Sequence, residues 1–314
     1  MQILANTNID FLKYRWMALL LSGVVLTGGI LTMWTRGIPL GIDFSGGTAV
    51  VVKFTEPVSE DTVRQAIAGV PGDKIVQQYG PPEDHEVLVR LPLVTADEEG
   101  SLDQGADQVL AALRANVGEI EVMSNDIVGP VIGEDLKQKG IWATLFALGG
   151  ILVYVGFRFR FTFALGAIAA VFHDILVTLA FLTWFDYELS LNIIAGILTI
   201  TGYSVNDTIV VFDRVRENQR LLRREPLHDV VNRSVNQTLS RTIITSGTTF
   251  LAVASLYVLG GEVLRGFAFT MIVGVFTGTY STVFIASAIA IMLNRPTRSQ
   301  MATQAQAKAR RARA

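Results

Sequence analysis

Six long apolar segments constrain this chain more than any other feature. Each reaches or approaches the roughly 20 residues that an α-helix needs to cross about 30 Å of hydrocarbon. A hydrophobic content of 50% and a mean hydropathy of +0.43 argue against an ordinary soluble enzyme. We therefore predict an α-helical polytopic membrane protein with six transmembrane helices. The predicted segments are 16–34, 141–157, 161–185, 189–212, 242–259 and 267–293.

Positive charge gathers at one end of the predicted helices and indicates which end is cytoplasmic. Lys13 and Arg15 precede the first segment, and Arg158 and Arg160 connect the second to the third. The connection at 213–241 has seven Lys/Arg and four Asp/Glu. Short basic loops stay in the cytoplasm, where they are expected to contact anionic membrane lipids. The prediction is a cytoplasmic N-terminus at 1–15, transmembrane helix 1 at 16–34, helices 2–6 within 139–293 with the basic cytoplasmic loop at 213–241, and a basic cytoplasmic tail at 294–314.

The insert at 35–138 is predicted to be a separate domain on the periplasmic side. It contains 18 Asp/Glu and 7 Lys/Arg, a balance of −11 in a chain whose net charge is −2. Runs of β-branched residues and helix-capping signals give the order βαββαβ, which is that of a ferredoxin-like α+β domain. Its helices should cover one face of the sheet and leave the other available to a partner. The predicted strands are 48–54, 74–79, 86–91 and 119–128, and the predicted helices are 59–68 and 101–116, the latter opening with a capping box at Ser101.

Two aspartates lie within apolar segments, where an unpaired carboxylate is costly. Asp174 follows His173 near the middle of the third segment, about 12 residues or roughly 18 Å from either end. Asp207 lies about five residues, roughly 8 Å, inside the cytoplasmic end of the fourth. A buried carboxylate that changes its protonation suits a proton carrier, because burial penalises its charged form. The structural alternative for Asp174 and His173 is a static hydrogen bond to a neighbouring helix.

Polar residues recur at three- and four-residue steps on segments four and five, so each set shares a helix face. Arg241 or Thr242, where segment five starts, shares a face with Thr245 and Thr249, and Asn206 adjoins Asp207 on segment four. Two such faces could enclose a hydrated path in which Arg241 modulates the charge of Asp207. In the alternative, Arg241 pairs with Asp207 as a structural contact and serves as one more cytoplasmic positive charge.

Other chemistries find little support in these residues. The chain has no cysteine and only three histidines, so neither thiol chemistry nor a metal-ligand cluster is expected. There is no Walker or Rossmann loop, and the glycines at 45–47 do not form a nucleophile elbow. An intramembrane aspartyl protease would carry a glycine next to its catalytic Asp, whereas Asn206 precedes Asp207. We predict no enzymatic activity, no metal or other cofactor besides protons as the coupling ion, and no nucleic-acid partner.

Four motifs, in this order along the chain, resemble the SecF family. They are GIDFSGGT at 41–48, HD at 173–174, GYSVNDTIVVFDRVRE at 202–217 and SRTIITSGTT at 240–249. SecF is the smaller subunit of the bacterial SecD–SecF protein-export complex, within the resistance–nodulation–division superfamily. The family residues at the start of the predicted domain are Gly41, Asp43, Phe44, Gly46 and Gly47.

This resemblance implies a multi-pass subunit of the Sec export machinery in the bacterial inner membrane. Family members pair with SecD, act with the SecYEG channel and often YajC, and use the proton-motive force to drive late translocation and release of unfolded polypeptides in the periplasm. The resemblance implies proton-relay roles for Asp207 and Arg241, with Asp174 and His173 beside them and Asn206, Thr245 and Thr249 as the supporting polar path.

Two other functions remain open from the sequence. A proton-coupled exporter of small molecules or lipids would belong to the same superfamily, but it would be expected to carry a larger, two-part periplasmic domain. A non-transporting scaffold that stabilises a translocase would tolerate charge-neutral substitutions at Asp207 and Arg241.

Overall fold

A computed structural model describes residues 7–72, 74–79, 82–91 and 102–294. A π-helical turn, Thr282–Ala286, joins the last two helices into one continuous rod. In chain order the elements are α1 (Arg15–Arg36), α2 (Ile42–Ser45), β1 (Gly47–Phe54), α3 (Glu60–Ala66), β2 (Ile75–Tyr79), β3 (Glu86–Leu91), α4 (Leu102–Asn116), β4 (Ile120–Val128), α5 (Pro130–Arg158), α6 (Phe161–Trp184), α7 (Leu191–Leu221), α8 (Leu227–Leu259), α9 (Gly261–Ser281) and α10 (Ser287–Leu293).

These elements form two units, which we describe separately. The sheet unit comprises Pro39–Thr144 and Glu188–Ile194, and the helix unit contains the rest of the described chain. Within the described residues, six helices are long and apolar enough to cross a membrane, which confirms the predicted number. They are α1, α5, α6, α7, α8 and the continuous helix α9–α10.

The membrane helices extend beyond their apolar segments. The predicted loop at 213–241 is largely helical, because α7 continues to Leu221 and α8 begins at Leu227. The two extensions bury Val215, Val231 and Val235 in one core cluster, and this packing stabilises helix in a stretch whose charges indicate solvent. Helix α5 likewise begins well before residue 141, at Pro130, where the fixed φ of proline suits a first helical position.

In the helix unit, α6, α7 and α9–α10 form the centre. At least half of the most apolar stretch of each of these helices is buried, against less than a fifth for α1, α5 and α8. Small residues allow the central helices to approach closely. A side chain at Gly274 of α9 would collide with Ile200 of α7, and one at Gly166 of α6 would meet the carbonyl oxygen of Ala286 at 2.5 Å. The GxxxG pair of Gly274 and Gly278 therefore packs within this chain.

The sheet unit has the predicted ferredoxin-like topology. All strand pairs are antiparallel, and the strand order β2-β3-β1-β4 is that of the βαββαβ fold. Val50 and Val52 of β1 face the core that α3 and α4 cover. The predicted start of α3 is confirmed, since the Ser59 hydroxyl accepts a hydrogen bond from the amide of Thr62 at 3.2 Å. The predicted capping box at Ser101 lies outside the described residues.

The opposite face of the sheet is not left free, contrary to the sequence prediction. Ile42 of the short helix α2 packs with Ala49 and Val51 of β1 and with Leu88 of β3. Because β1 is buried on both faces, its hydrophobic and polar residues need not alternate, and its sequence is an uninterrupted apolar run.

Candidate functional site

Asp207 lies on α7 in the helix unit, where its carboxyl group is buried but only half satisfied. The residue is 9% exposed. The Thr242 hydroxyl on α8 donates a hydrogen bond to Oδ1 at 2.7 Å. Oδ2 is buried and accepts no hydrogen bond from the described residues. A buried charged oxygen without a hydrogen-bond donor raises the free energy of the folded protein. Protonation of this carboxyl group, or approach of a new donor, would remove that cost.

The helix that faces Asp207 from α9–α10 is irregular at this level. Thr282 opens the π-helical turn and lies close enough to interact with the Asp207 carboxyl. Its hydroxyl is instead within 2.9 Å of the Thr208 hydroxyl, and its carbonyl accepts a hydrogen bond from Ser287 at 3.0 Å. Single π-helical turns leave the regular i to i−4 ladder and frequently occur at functional sites. Thr282 is therefore a second hydroxyl that a small rearrangement could bring onto Asp207.

Arg241 does not form an ion pair with Asp207 among the described residues. Its side chain is exposed, and it acts on the carboxylate electrostatically across a gap. Thr242, its neighbour in the sequence, makes the direct contact instead. The predicted partner on α8 is thus displaced by one residue, about 100° around the helix.

The predicted supporting residues do not converge on the Asp207 carboxyl. Asn206 and Thr245 are exposed on this chain, and Thr249 is half-buried. The Thr245 hydroxyl donates to the backbone carbonyl of Arg241 at 2.9 Å. Arg241, Asn206 and Thr245 are thus all exposed in the isolated chain.

Asp174 and His173 form the second polar cluster, and it is fully satisfied. Asp174 is 1% exposed, and its Oδ2 accepts hydrogen bonds from Ser204 at 2.5 Å and Ser281 at 2.7 Å. Its Oδ1 lies 3.0 Å from His173 Nδ1. His173 Nε2 lies 3.0 Å from the Ser22 hydroxyl on α1. The cluster therefore joins four helices, α1, α6, α7 and α9, through side-chain hydrogen bonds.

The donors in this cluster fix where one proton of His173 lies. The Tyr280 hydroxyl donates its only proton to the carbonyl of Ala18 at 2.6 Å. Ser22, 3.0 Å from the same hydroxyl, must then donate to Tyr280 and accept from His173 Nε2. Because Nδ1 and the Asp174 oxygen are also in contact, they must share a second proton. Whichever atom holds that proton, the His173–Asp174 pair is neutral overall.

The glycine-rich motif at 41–48 lies in the sheet unit, at the start of α7. The Asp43 carboxylate accepts a hydrogen bond from the Leu191 amide at 2.8 Å, and the Gly41 amide donates to the Leu189 carbonyl at 2.8 Å. Acidic groups stabilise helix N-termini because they satisfy free amides and the helix dipole. Gly46 and Gly47 have φ angles of +68° and +122°, which only glycine adopts without strain. Phe44 is buried.

A buried arginine of β3 completes this arrangement. Arg90 forms a salt bridge with Glu188 and donates to the Leu40 carbonyl at 3.1 Å. Burial lowers the pKa of Arg90 to about 10, while the charge of Asp43 opposes the shift. Arg90 is therefore still protonated at neutral pH, and both Glu188 and the motif compensate its buried charge.

Sequence reasoning missed the hydroxyl groups around Asp174 and the Arg90–Glu188 pair. Ser22, Ser204 and Ser281 are single polar residues within apolar stretches, and that isolation was the available signal. Nothing local links Arg90 to Glu188, because β3 and the start of α7 are far apart in sequence.

Sequence comparison places the chain in one family. The profile described as protein export membrane protein SecD/SecF, C-terminal, matches residues 108–296, and the SecD/SecF GG motif matches residues 32–58. Three relatives are each named protein translocase subunit SecF. That of Magnetococcus marinus is 42% identical and covers 96% of this chain and 97% of the relative. That of Rhodothermus marinus is 42% identical, with 93% and 96% covered. That of Escherichia coli O157:H7 is 40% identical, with 90% and 87% covered.

Two crystal structures of SecDF resemble the fold. One, from Thermus thermophilus, is described as a translocon-associated membrane protein and superposes with a TM-score of 0.81 at 37% identity over 92% of this chain. SecDF in its super-membrane-facing form gives a TM-score of 0.65 at 36% identity over 97%. The chain spans 39% and 41% of these longer proteins. The profile matches, the full-length relatives and the shared fold agree that this chain belongs to the SecD/SecF family of protein export membrane proteins.

Proposed function

We propose that this protein is a proton-driven subunit of the Sec export machinery in the bacterial inner membrane. In this proposal it pairs with SecD and uses the proton-motive force to drive the late translocation and release of secreted chains. Both termini are cytoplasmic and 35–138 is periplasmic, as the distribution of basic residues indicates. The family assignment and the likeness to SecDF support the pairing with SecD.

The observation that carries the proposal is the half-satisfied carboxyl group of Asp207. One oxygen accepts from Thr242, and the other is buried and accepts nothing among the described residues. When protonated, Asp207 can donate a hydrogen bond from its second oxygen, and the Thr282 hydroxyl is an acceptor close by. When ionised, it requires donors or a positive charge, which favours approach of Arg241 or Thr282. Each protonation state therefore favours a different packing of α7 against its neighbours.

Such a difference in packing is what a proton gradient can bias. Proton entry from one side and exit to the other would alternate the two packings and move the helices. Arg241 acts as the modulator, since it bears on Asp207 electrostatically without a fixed ion pair. The neutral His173–Asp174 pair lies beside the path and holds four helices together.

The proposed partners are those that the family resemblance implies. SecD would supply the other half of the membrane motor, SecYEG the channel, and YajC an accessory contact. The translocating unfolded polypeptide is the cargo.

The decisive experiment is Asp207→Asn in membrane vesicles that contain SecD and the channel. We expect the gradient-dependent part of the export of a secreted precursor to disappear, because Asn cannot exchange a proton. The measurement is the export rate with and without an ionophore. Asp229→Asn, an exposed acid at the start of α8, is the matched control and should retain the gradient response.

Two outcomes would contradict the proposal. Full gradient-dependent export by Asp207→Asn would show that this carboxyl does not couple protons and would favour a scaffold. Accumulation of a small molecule or lipid in a deletion strain, with normal protein export, would favour the exporter alternative. Copurification of SecD with the Asp207→Asn protein checks that the variant is folded and assembled.

A further inference from the structure

A cavity of about 580 Å³ lies in the helix unit, away from both aspartates. The end of α5, the start of α6 and the extension of α7 surround it. Its size is in the range of small-ligand sites, which span roughly 300 to 1,000 Å³. The proton mechanism uses none of its lining residues.

One side of the cavity is strongly basic. Arg158, Arg160, Arg216, Arg220 and Arg223 line it. Only Arg158 forms an ion pair within the described chain, with both oxygens of Asp213 at 2.6 and 2.7 Å. The other four guanidinium groups are exposed around one space.

Neither the orientation of the chain in the membrane nor helix capping explains why these arginines line one cavity. Basic residues near a cytoplasmic helix end set orientation and favour the helix dipole wherever they point. Five arginines, however, line one cavity, and the acids beside them on α7, Asp213 and Glu217, do not line it. Asp213 pairs with Arg158 and Glu217 with Arg214, which leaves Arg216 and Arg220 for an anion, and an arginine fork matches the oxygens of a phosphate group.

The other side of the cavity is aromatic. Phe159 and Phe163 are buried and pack edge-on against Phe212, with ring centroids 5.8 and 5.1 Å apart. Phe157, the last aromatic residue of the apolar part of α5, is 90% exposed at the rim. An exposed phenylalanine at the end of a membrane span meets acyl chains in the bilayer. The cavity thus joins a cationic wall to an apolar rim, at the ends of two helices that are apolar enough to cross a membrane.

We propose that this cavity binds the phosphate headgroup of an anionic phospholipid, with the arginines on the phosphate and Phe157 against an acyl chain. Basic pockets between membrane helices bind such headgroups elsewhere. A soluble phosphate compound would use the arginines but would gain nothing from the aromatic rim. This site depends on the membrane location of the chain and is independent of proton transfer at Asp207.

Native mass spectrometry of the full chain, purified in a zwitterionic detergent, tests the proposal. Phosphatidylglycerol, cardiolipin or phosphatidylcholine is titrated in, and the lipid-bound fraction is measured. We expect retention of the two anionic lipids and little retention of phosphatidylcholine. The double variant Arg216→Gln/Arg220→Gln should bind the anionic lipids at least about tenfold more weakly, since each arginine near an anionic lipid strengthens binding about fivefold.

A matched variant separates a site from general charge attraction. Arg224→Gln/Arg233→Gln removes the same charge from exposed residues of the same connection that do not line the cavity. It should change the affinity less than about twofold, as expected for charges that are screened by solvent. Phe157→Gln should weaken lipid binding without changing net charge. Because Phe157 is exposed, this variant is not expected to disturb folding.

Three results would overturn the proposal. Equal losses of lipid affinity in the two double variants would mean general charge attraction without a defined binding site. Equal binding of phosphatidylcholine would mean that the arginines are not involved. Displacement of the lipid by sodium phosphate at equal concentration, with no effect of Phe157→Gln, would mean a site for soluble anions. None of these results bears on gradient-driven export, so a failure here leaves the test of Asp207 intact.

Discussion

Asp207 and Asp174 are both buried carboxyl groups, but their surroundings differ in a way that separates their roles. Asp174 accepts hydrogen bonds from two serine hydroxyls and contacts His173. Asp207 accepts a hydrogen bond from one threonine hydroxyl, and its second oxygen has no donor among the described residues. A buried polar network whose hydrogen bonds are all made is rigid. A network with an unpaired polar atom gains free energy if a rearrangement supplies the missing partner. Motion is therefore expected at Asp207, with Asp174 as the fixed point.

The Thr242 hydroxyl gives a prediction at this scale. Thr242→Val removes the one hydrogen-bond donor of Asp207 while keeping the shape of the side chain. A hydrogen bond to a charged group contributes about 1.5 to 3 kcal/mol, so the balance between the two protonation states should shift by roughly tenfold or more. We expect gradient-driven export to fall correspondingly and to change its dependence on pH.

The controls are two nearby threonine substitutions. Thr242→Ser keeps the donor and should restore export. Thr248→Val removes a hydroxyl that bonds only to the backbone of its own helix and should have little effect. Normal export by Thr242→Val would contradict a role for this hydrogen bond.

Among the elements, Arg90 of β3 forms a buried ion pair with Glu188, which precedes α7 by three residues. Removing one partner leaves an uncompensated buried charge, which typically costs about 3 to 5 kcal/mol. Arg90→Gln is therefore expected to lower the stability of the sheet unit strongly. The double variant Arg90→Gln/Glu188→Gln should recover part of that loss. Hydrogen exchange of the β1 and β3 amides measures both effects.

The ion pair between Lys53 and Glu86 is the comparison for this prediction. It joins β1 to β3 at 3.8 Å, and its Lys53 side chain is 38% exposed, against 6% for Arg90. Lys53→Gln should cost less than about 1 kcal/mol. Equal costs for Arg90→Gln and Lys53→Gln would show that the buried pair has no special weight.

The close approach of α7 and α9 gives the second prediction among the elements. Gly274→Ala would place a methyl group on Ile200, so the two helices must separate, and overpacking of this kind typically costs about 1 to 3 kcal/mol. Thermal unfolding in detergent should show the loss, and Ile200→Ala should partly reverse it. Gly149→Ala on α5, where a methyl group meets no neighbour, should leave the midpoint unchanged or raised. An unchanged midpoint for Gly274→Ala would contradict this packing.

The sequence predicted the strands of the sheet unit to within one residue, because β-branched runs and turn residues are local signals. It did not predict the ends of α7 and α8. Val215 and Val231 stabilise helix there because they pack in a core with residues that are distant in the sequence. Asp207 and Asp174 were identifiable as charges within apolar runs. Thr242 was identifiable from the polar spacing of segment five, as the alternative to Arg241. Ser204 and Ser281 were not, because these contacts come from other helices and follow no spacing along the chain.

For the whole molecule, the cysteine-free sequence allows a direct test of orientation. Glu56→Cys lies in the sheet unit and Glu225→Cys between α7 and α8, and both side chains are exposed. We expect a membrane-impermeant maleimide to label Glu56→Cys in intact spheroplasts and Glu225→Cys only after the membrane is opened. The opposite pattern would invert the proposed topology, and labelling of both would contradict an odd number of crossings between them.

The hydrogen bond from Leu191 to Asp43 has a mechanical consequence. It ties the first residue of α7 to the glycine-rich motif within the sheet unit. The residues just before α7 are held there as well, because Gly41 donates to the Leu189 carbonyl and Arg90 pairs with Glu188. If the first turn of α7 shifts, Asp43 must move with it or lose its hydrogen bond. A glycine-rich peptide that could have served only as a linker is therefore an anchor for the start of this helix.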